Sequence, residues 1–275
     1  MKNIIISDVT LRDGNHAVKH QISKNIIKIY SKFAETNKID ILEVGHGNGL
    51  GASSLTIGRS RVSNVDAIKL AKKNLKKTKL SVHSIPGFST LDDVKSAIDN
   101  GVDIVRVGCN SLDIDIIERQ ILFCQKNKVE SWCVFMMFHQ IYPNNQYVSI
   151  VKNLKKLGIK TFIVMDSAGI LLPDDIKKIF TSLKKLNVRS GFHGHNNLGC
   201  ATANTLEAIK HGAKIVDCAI RGFGAGAGNT QLEIIIALLK RLNISNQYKV
   251  REFYKMSDEF IKILEKNKID YKDIF

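Results

Sequence analysis

The stretch Thr161-Phe162-Ile163-Val164-Met165 is a short apolar run bounded by polar residues, which is the pattern of a buried strand. An amphipathic helical pattern follows it at residues 174–186, and a second short strand pattern follows at 188–192. A strand, a helix and a second strand in this order are typical of a parallel sheet that is covered on both faces.

The same alternation extends from this unit towards both ends of the chain. It predicts eight strands, at 4–9, 39–44, 80–85, 104–109, 131–138, 161–165, 188–192 and 215–220. It predicts a helix after each of them, at 23–36, 64–76, 90–100, 112–127, 145–157, 174–186, 201–211 and 230–242. Eight such units favour a closed (β/α)8 TIM barrel over an open doubly wound sheet. A further charged helix at 252–267 would pack outside the barrel or extend it, so we expect one α/β domain over residues 1–275.

The composition bounds the class of protein. A chain of 275 residues with 44% hydrophobic residues can build one large core. No apolar run approaches the roughly eighteen residues that a membrane-spanning helix needs, and the apolar part of the N-terminus is too short for a signal peptide. The five cysteines are odd in number and form no C-x-x-C pair, which predicts reduced thiols. We therefore expect a cytoplasmic protein with no membrane partner.

The formal net charge of +15 raises the question of a nucleic-acid partner. The lysines are spread over the predicted helices and do not gather in one arm or patch, and the single tryptophan leaves little for base stacking. A solvated basic surface is the better interpretation, so no nucleic-acid partner is expected.

Polar side chains stand where the predicted strands end. Active sites of such barrels lie at the carboxyl ends of the strands. Six of the eight histidines fall there: His16, His46, His83, His139, His193 and His195. The opposite strand ends carry lysines instead, so the carboxyl end of the barrel is the candidate site.

The stretch Phe192-His193-Gly194-His195-Asn196 suggests a metal site. Alternate side chains of a strand point to the same face, so both imidazoles could reach one ion, although an isolated His-x-His is more often two ordinary histidines. Its position at the end of the seventh strand, facing Asp13 after the first, favours the metal interpretation. We predict Asp13, His193 and His195 as ligands of a divalent ion, with Asn229 either a fourth ligand or a group that supports one. Mixed nitrogen and oxygen donors suit Mn²⁺, the ion we expect, and also Mg²⁺, Co²⁺ or Zn²⁺.

Four motifs in the sequence resemble those of one protein family. They are DVTLRDG at 8–14, DSAG at 166–169, HGHNNLG at 193–199 and GAGAGN at 224–229. Together they resemble the metal-dependent TIM-barrel superfamily of 3-hydroxy-3-methylglutaryl-CoA lyase and isopropylmalate synthase. The stretches HAVKHQ at 16–21, EVGHGNGL at 43–50 and the serines at 53–54 resemble its 4-hydroxy-2-oxovalerate aldolase branch in particular. The resemblance extends over about residues 4–240.

The resemblance implies an activity and roles for residues. The activity is a class II aldolase reaction, a carbon–carbon lyase reaction that interconverts a 4-hydroxy-2-oxo acid with pyruvate and an aldehyde. Asp13, His193 and His195 would bind the metal, Arg12 would steady the enolate oxygen, and His16 would be the base for the substrate hydroxyl. The chemistry agrees, because retro-aldol cleavage needs a base near neutral pKa and a stabilised enolate. No predicted strand carries a lysine in its middle or at its carboxyl end, which argues against a Schiff-base aldolase.

Further residues are assigned to the surroundings of the site. We predict His46, Asp166 and Ser167 as pocket residues that meet the small 2-oxo acid substrate, with a purely structural hydrogen bond an equal alternative for His46. The region with which the aldolase branch docks an acetaldehyde dehydrogenase has no counterpart in this sequence up to Phe275. This puts that partner, and acetaldehyde as the aldehyde, in doubt. The aldehyde, the direction of the reaction and a homo-oligomer stay open.

Two alternatives remain at this point. One is a Claisen-type enzyme of the isopropylmalate synthase kind, which would condense an acyl-CoA with a 2-oxo acid at the same metal site. The other is a non-catalytic barrel, against which the intact set Arg12, Asp13, His16, His193 and His195 argues.

Overall fold

Eight parallel strands form a closed barrel in chain order in the computed structural model, which describes residues 4–271. The strands are β1 (Ile5–Leu11), β2 (Ile41–Val44), β3 (Lys79–Ser84), β4 (Ile104–Asn110), β5 (Glu130–Met136), β6 (Thr161–Asp166), β7 (Arg189–Gly194) and β8 (Ile215–Cys218). The helices are α1 (Lys24–Thr36), α2 (Asn64–Lys72), α3 (Leu91–Asp99), α4 (Glu118–Lys126), α5 (Gln146–Lys156), α6 (Pro173–Lys185), α7 (Ala201–His211), α8 (Leu232–Arg241) and α9 (Val250–Lys266). The predicted TIM barrel with an additional C-terminal helix is confirmed.

Several predicted elements were wrong in extent: the helix predicted at 64–76 ends at Lys72, the strand predicted at 215–220 ends at Cys218, and two further elements differ for a local reason. The helix predicted at 112–127 is α-helical only from Glu118; the preceding Ser111–Ile117 forms a 3-10 segment with a kink at Asp113. Asn110 explains this, because its side chain accepts a hydrogen bond from the backbone N–H of Leu112 and offers the chain a turn in place of an α-helix. The strand predicted to reach residue 138 ends at Met136, since the next residue, Met137, has a left-handed φ of 53°.

The barrel interior has an apolar floor and a charged layer above it. The floor belongs to a cluster of buried apolar side chains: Ile41, Ile104, Trp132, Val134, Ile163, Met165 and Ile215. Met165 of this cluster lies two residues after Ile163 on β6 and reaches a cavity at the carboxyl end. Glu43, Arg106 and Asp217 are also fully or almost fully buried, and each lies two residues after an isoleucine of the floor on β2, β4 or β8. The period of two along a strand places each charge on the same inner face as its isoleucine, one layer closer to the carboxyl ends.

Helix α9 packs against the outside of the barrel, which was one of the two predicted positions. Phe260 places its ring 5.6 Å from that of Tyr30 on α1 and 5.3 Å from that of Phe223. Phe253 meets Phe33 of α1 at 5.4 Å. No helix among residues 4–271 is long and apolar enough to cross a membrane. All five cysteines are free thiols, as predicted.

Candidate active site and metal centre

Three buried side chains converge at the carboxyl end of the barrel. Asp13, His193 and His195 each offer a ligand atom, and these atoms lie within 4.8 Å of one another. Asp13 opens a short 3-10 turn after β1, His193 lies on β7, and His195 follows β7 in an isolated bridge to Asn229. The predicted ligands therefore meet, although His195 lies just beyond the strand to which its pattern assigned it.

The two imidazoles face each other in a way that calls for a cation. His193 directs Nδ1 to Oδ2 of Asp217 at 2.9 Å, and His195 directs Nδ1 to the carbonyl oxygen of Ala225 at 3.3 Å. Both partners are acceptors, so each Nδ1 carries the hydrogen and each Nε2 presents a lone pair. Burial lowers the pKa of His195 to about 4, which keeps that ring neutral. The two Nε2 atoms are 3.2 Å apart, and a metal ion bound by both would relieve the repulsion between their lone pairs.

Asp13 is held as a carboxylate. Burial alone would raise its pKa, but the Arg12 guanidinium and the neighbouring histidines outweigh burial and hold the pKa well below its usual range. Arg12 Nη1 donates to Oδ1 at 2.6 Å, and Asn229 Nδ2 donates to Oδ2 at 2.6 Å. The amide of Asn229 thus orients the carboxylate, while its Oδ1 is buried with no hydrogen-bond partner among residues 4–271. These donors fit a divalent ion: two imidazole nitrogens, one carboxylate and one unpaired amide oxygen nearby.

Sequence reasoning missed the charged layer beneath these ligands. Arg106 donates through Nη1 to Glu43 at 2.7 Å and through Nη2 to Asp217, and Arg12 Nε also donates to Glu43. Burial would raise the pKa of Asp217, but Arg106 and His193 lower it well below its usual range. One sequence signal could have revealed this layer: each charged residue stands at an inward position of an otherwise apolar strand. Burying a charge there is costly unless the charge is paired.

The cavity above the ligands has a volume of about 160 Å³. Its lining includes Arg12, Asp13, His16, His195 and Ser167, together with His83 and the apolar side chains of Ile85, Met136 and Met165. A larger groove of about 800 Å³ lies at the opposite end of the barrel, near Glu130 and Arg189. None of the convergent ligands lines that groove, so the smaller cavity is the candidate active site.

Two side chains present chemistry to this cavity besides the metal ligands. Arg12 keeps Nη2 buried and without a hydrogen-bond partner among the described residues, so this N–H group can donate to a bound oxygen. His16 lies on the turn that Asp13 opens, and its ring covers Gly47. A Cβ atom built on Gly47 would lie 2.4 Å from His16 Nε2, so the missing side chain makes room for this ring.

The three predicted pocket residues have different surroundings. Ser167 lines the cavity, and its hydroxyl accepts a hydrogen bond from the N–H of Met137 at 3.0 Å. Asp166 is not among the lining residues, and its carboxylate accepts from the backbone of the loop that follows β6. His46 does not line the cavity either. Its Nδ1 accepts from Asn48 N and its Nε2 donates to the Gly58 carbonyl, the structural alternative considered for it.

Known proteins resemble this chain over most of its length. Residues 3–260 match the HMGL-like protein family. A 4-hydroxy-2-oxovalerate aldolase of Pectobacterium atrosepticum is 41% identical over 259 residues, which cover 94% of this chain and 74% of that protein. A 4-hydroxy-2-oxovalerate aldolase of Spirochaeta aurantia is 44% identical over 244 residues, covering 88% of this chain and 71% of that protein.

Solved structures share the fold. The N-terminal domain of a putative aldolase from Bacteroides vulgatus superposes with a TM-score of 0.83 at 24% identity, over 98% of this chain and 90% of that one. A carboxyl transferase domain of Rhizobium etli pyruvate carboxylase, solved with pyruvate, also has a TM-score of 0.83, at 17% identity over 99% of this chain and 50% of that one. At these identities the likeness shows the barrel fold alone. The family match and the relatives at over 40% identity show more: the chain belongs to the HMGL-like family.

Proposed function

We propose that this chain is a divalent-metal-dependent aldolase that interconverts a 4-hydroxy-2-oxo acid with pyruvate and an aldehyde. The observation that carries the proposal is the pair of facing Nε2 atoms of His193 and His195 beside the carboxylate of Asp13, under a cavity into which Arg12 and His16 project. Relatives at 41% and 44% identity carry the name 4-hydroxy-2-oxovalerate aldolase, which supports the same substrate class here.

The charges around the site suit a cation and an anionic substrate. Two buried guanidiniums, Arg12 and Arg106, are paired with three carboxylates, Asp13, Glu43 and Asp217, which leaves one negative charge. A divalent ion would turn this surplus into one positive charge, and a 2-oxo acid with a single carboxylate would neutralise it. Buried charge that is fully compensated avoids a large desolvation cost.

The metal would be held by Asp13, His193 and His195, and when bound it supplies Lewis-acid stabilisation of developing negative charge. We propose Mn²⁺ as the ion; a donor set that mixes imidazole nitrogen with carboxylate oxygen suits it and also Mg²⁺, Co²⁺ or Zn²⁺. Members of this family depend on a divalent metal.

The chain's own residues then carry the proton and the charge. In the cleavage direction, His16 takes the proton of the C4 hydroxyl, and the electron pair of the O–H bond forms the carbonyl of the aldehyde. The C3–C4 bond breaks, and its electron pair passes into the enolate of pyruvate. Arg12 donates through its unpaired Nη2 to the enolate oxygen, and a proton returned to C3 completes pyruvate. The apolar side chains of Ile85, Met136 and Met165 form a water-excluding wall of the cavity for the aldehyde part of the substrate.

A pyruvate-release screen tests the proposal. Metal-free protein would be supplied with Mn²⁺, Mg²⁺ or Co²⁺ and a panel of 4-hydroxy-2-oxo acids that differ in the aldehyde half. We expect pyruvate from at least one acid, loss of activity with a chelator, and recovery when Mn²⁺ is added back. If no acid yields pyruvate, and free CoA thiol is instead released from acetyl-CoA plus a 2-oxo acid, the condensing activity replaces the aldolase activity.

Gly47→Ala tests the role of His16 without altering a polar group. The new Cβ would overlap the imidazole, so the ring must move away from its position over residue 47. A shift of about 1 Å in a catalytic group can cost up to roughly 100-fold, so we expect kcat to fall by that order. Mn²⁺ affinity, measured by calorimetry on the same protein, should stay unchanged. An unchanged kcat would mean that the observed place of His16 does not matter for turnover.

We further propose that the chain works as one TIM-barrel domain in the cytoplasm. The packing of Phe260 and Phe253 joins α9 to the barrel, and five free thiols suit a reducing compartment.

A further inference from the structure

An alternating series of charges links two of the candidate metal ligands through the barrel interior. From Asp13, the contacts pass to Arg12, then to Glu43, to Arg106, to Asp217 and finally to His193. The series therefore begins and ends on groups that face the same candidate metal position, and Arg106 joins its two halves.

Arg106 lies outside the active-site cavity. Its side chain is fully buried and does not line that cavity. The guanidinium rests against the Trp132 ring, with Cζ 5.8 Å from the ring centroid, and thus has the apolar floor on one side. A group in this place cannot touch a substrate, and its contacts leave it little freedom to move.

We propose that Arg106 is a positioning residue that aligns two metal ligands at once, Asp13 through Arg12 and Glu43, and His193 through Asp217. The inference rests on the proposed metal centre, but not on the identity of the substrate.

The contact with Asp217 shows how the alignment works on one side. Oδ2 of Asp217 accepts from both Arg106 Nη2 and His193 Nδ1. Arg106 therefore determines where this oxygen lies, and the oxygen determines both the tautomer and the orientation of the His193 ring. Partners of this kind usually tune the affinity of a metal ligand.

The planar guanidinium suits the bridge better than an ammonium would. Nη1 serves Glu43 and Nη2 serves Asp217, so two nitrogens in a rigid plane set the separation of two carboxylates. A lysine would keep the charge, but it offers one nitrogen on a flexible stem and cannot reproduce both directed contacts. A conservative variant therefore separates the effect of charge from the effect of geometry.

The sign of the change in metal affinity distinguishes positioning from plain electrostatics. Arg106 is a cation near a cation site, so if only its charge mattered, its removal would tighten the binding of a divalent ion. Removing a residue that only stabilises the fold would lower the stability and leave the Mn²⁺ affinity of the folded protein unchanged. Positioning alone predicts weaker binding.

The experiment titrates MnCl₂ into metal-free Arg106→Met and Arg106→Lys proteins by calorimetry, with no substrate present. We expect Arg106→Met to bind Mn²⁺ roughly 10- to 100-fold more weakly than the unchanged chain, the usual cost of losing a partner of a metal ligand. Arg106→Lys should fall between the two.

Arg189→Met is the matched control. This guanidinium lies 5.5 Å from the centroid of the same Trp132 ring. Arg189 is the first residue of β7 and pairs with Glu130, the first residue of β5, at the end of the barrel away from the candidate ligands. Its loss should leave the Mn²⁺ affinity unchanged. Thermal unfolding is followed for all the proteins, because losing a paired guanidinium at either position lowers stability.

The outcomes separate this inference from the proposed activity. Unchanged or tighter Mn²⁺ binding by a folded Arg106 variant overturns the inference, and so does a failure of both variants to fold, which would show a structural role. If Arg106→Met alone fails to fold, Arg106→Lys decides. If the unchanged chain binds Mn²⁺ but releases no pyruvate, the aldolase activity fails while the affinities still test Arg106.

Discussion

His193→Ala is expected to abolish divalent-metal binding and, with it, the aldolase activity. The substitution removes one of the two facing Nε2 atoms and leaves Asp13 and His195 as the only members of the three-residue ligand group. It also takes away a donor to Oδ2 of Asp217, which disturbs the charged layer. Losing a hydrogen-bond partner of a metal ligand weakens metal affinity by roughly 10- to 100-fold, and losing the ligand itself should weaken it more. We therefore expect Mn²⁺ affinity to fall by more than about 100-fold. Calorimetric Mn²⁺ titration and pyruvate release measure both effects.

His211→Ala provides the control for that experiment. His211 is the last residue of α7 and pairs with Glu207, outside the barrel mouth. This variant should bind Mn²⁺ and release pyruvate like the unchanged chain. Activity of His193→Ala that survives treatment with a chelator would contradict the assignment of the metal centre.

His16→Ala is expected to lower turnover while leaving Mn²⁺ affinity nearly intact. His16 lines the cavity but does not belong to the group of three candidate ligands. General-base catalysis by a positioned histidine contributes roughly 10²- to 10⁴-fold, so kcat should fall within that range. Because the proton is transferred in the transition state, kcat and kcat/KM should fall together.

The comparison with His193→Ala makes the two roles separable. The His16 variant should keep its calorimetric Mn²⁺ signal, whereas the His193 variant should lose it. If His16→Ala lost Mn²⁺ affinity to a comparable degree, His16 would be part of the metal centre and the assignment of the base would be wrong.

The fold was predictable because its signals are local. Each strand–helix unit shows its period within a dozen or so residues, as in 161–165 and 174–186, and eight repeats leave few architectures. The convergence of the three candidate ligands was predictable for a related reason: Asp13, His193 and His195 stand at strand ends, and strand ends of a parallel barrel share one face.

Other features were not predictable from local patterns. β5 ends because the backbone of Met137 is left-handed, and the apolar sequence around Met137 gives no sign of this conformation. Glu43, Arg106 and Asp217 lie on three different strands, and the sequence around each of them does not indicate which residue it pairs with. Their pairing exists only across the interior of the closed barrel.

The sequence by itself determined the order of the eight units, the apolar faces that bury them and the chemical groups at their ends. The tertiary structure decided the register in which β1 closes on β8, with Ile5 opposite Ile215, and the positions that bring the candidate ligand atoms of Asp13, His193 and His195 within 4.8 Å of one another. It also decided which imidazole nitrogens are free for a metal, because that depends on Asp217 and the Ala225 carbonyl. The physical reason is the same in each case: backbone pairing, tautomer and the compensation of buried charge depend on partners far away in the chain, which a local pattern does not contain.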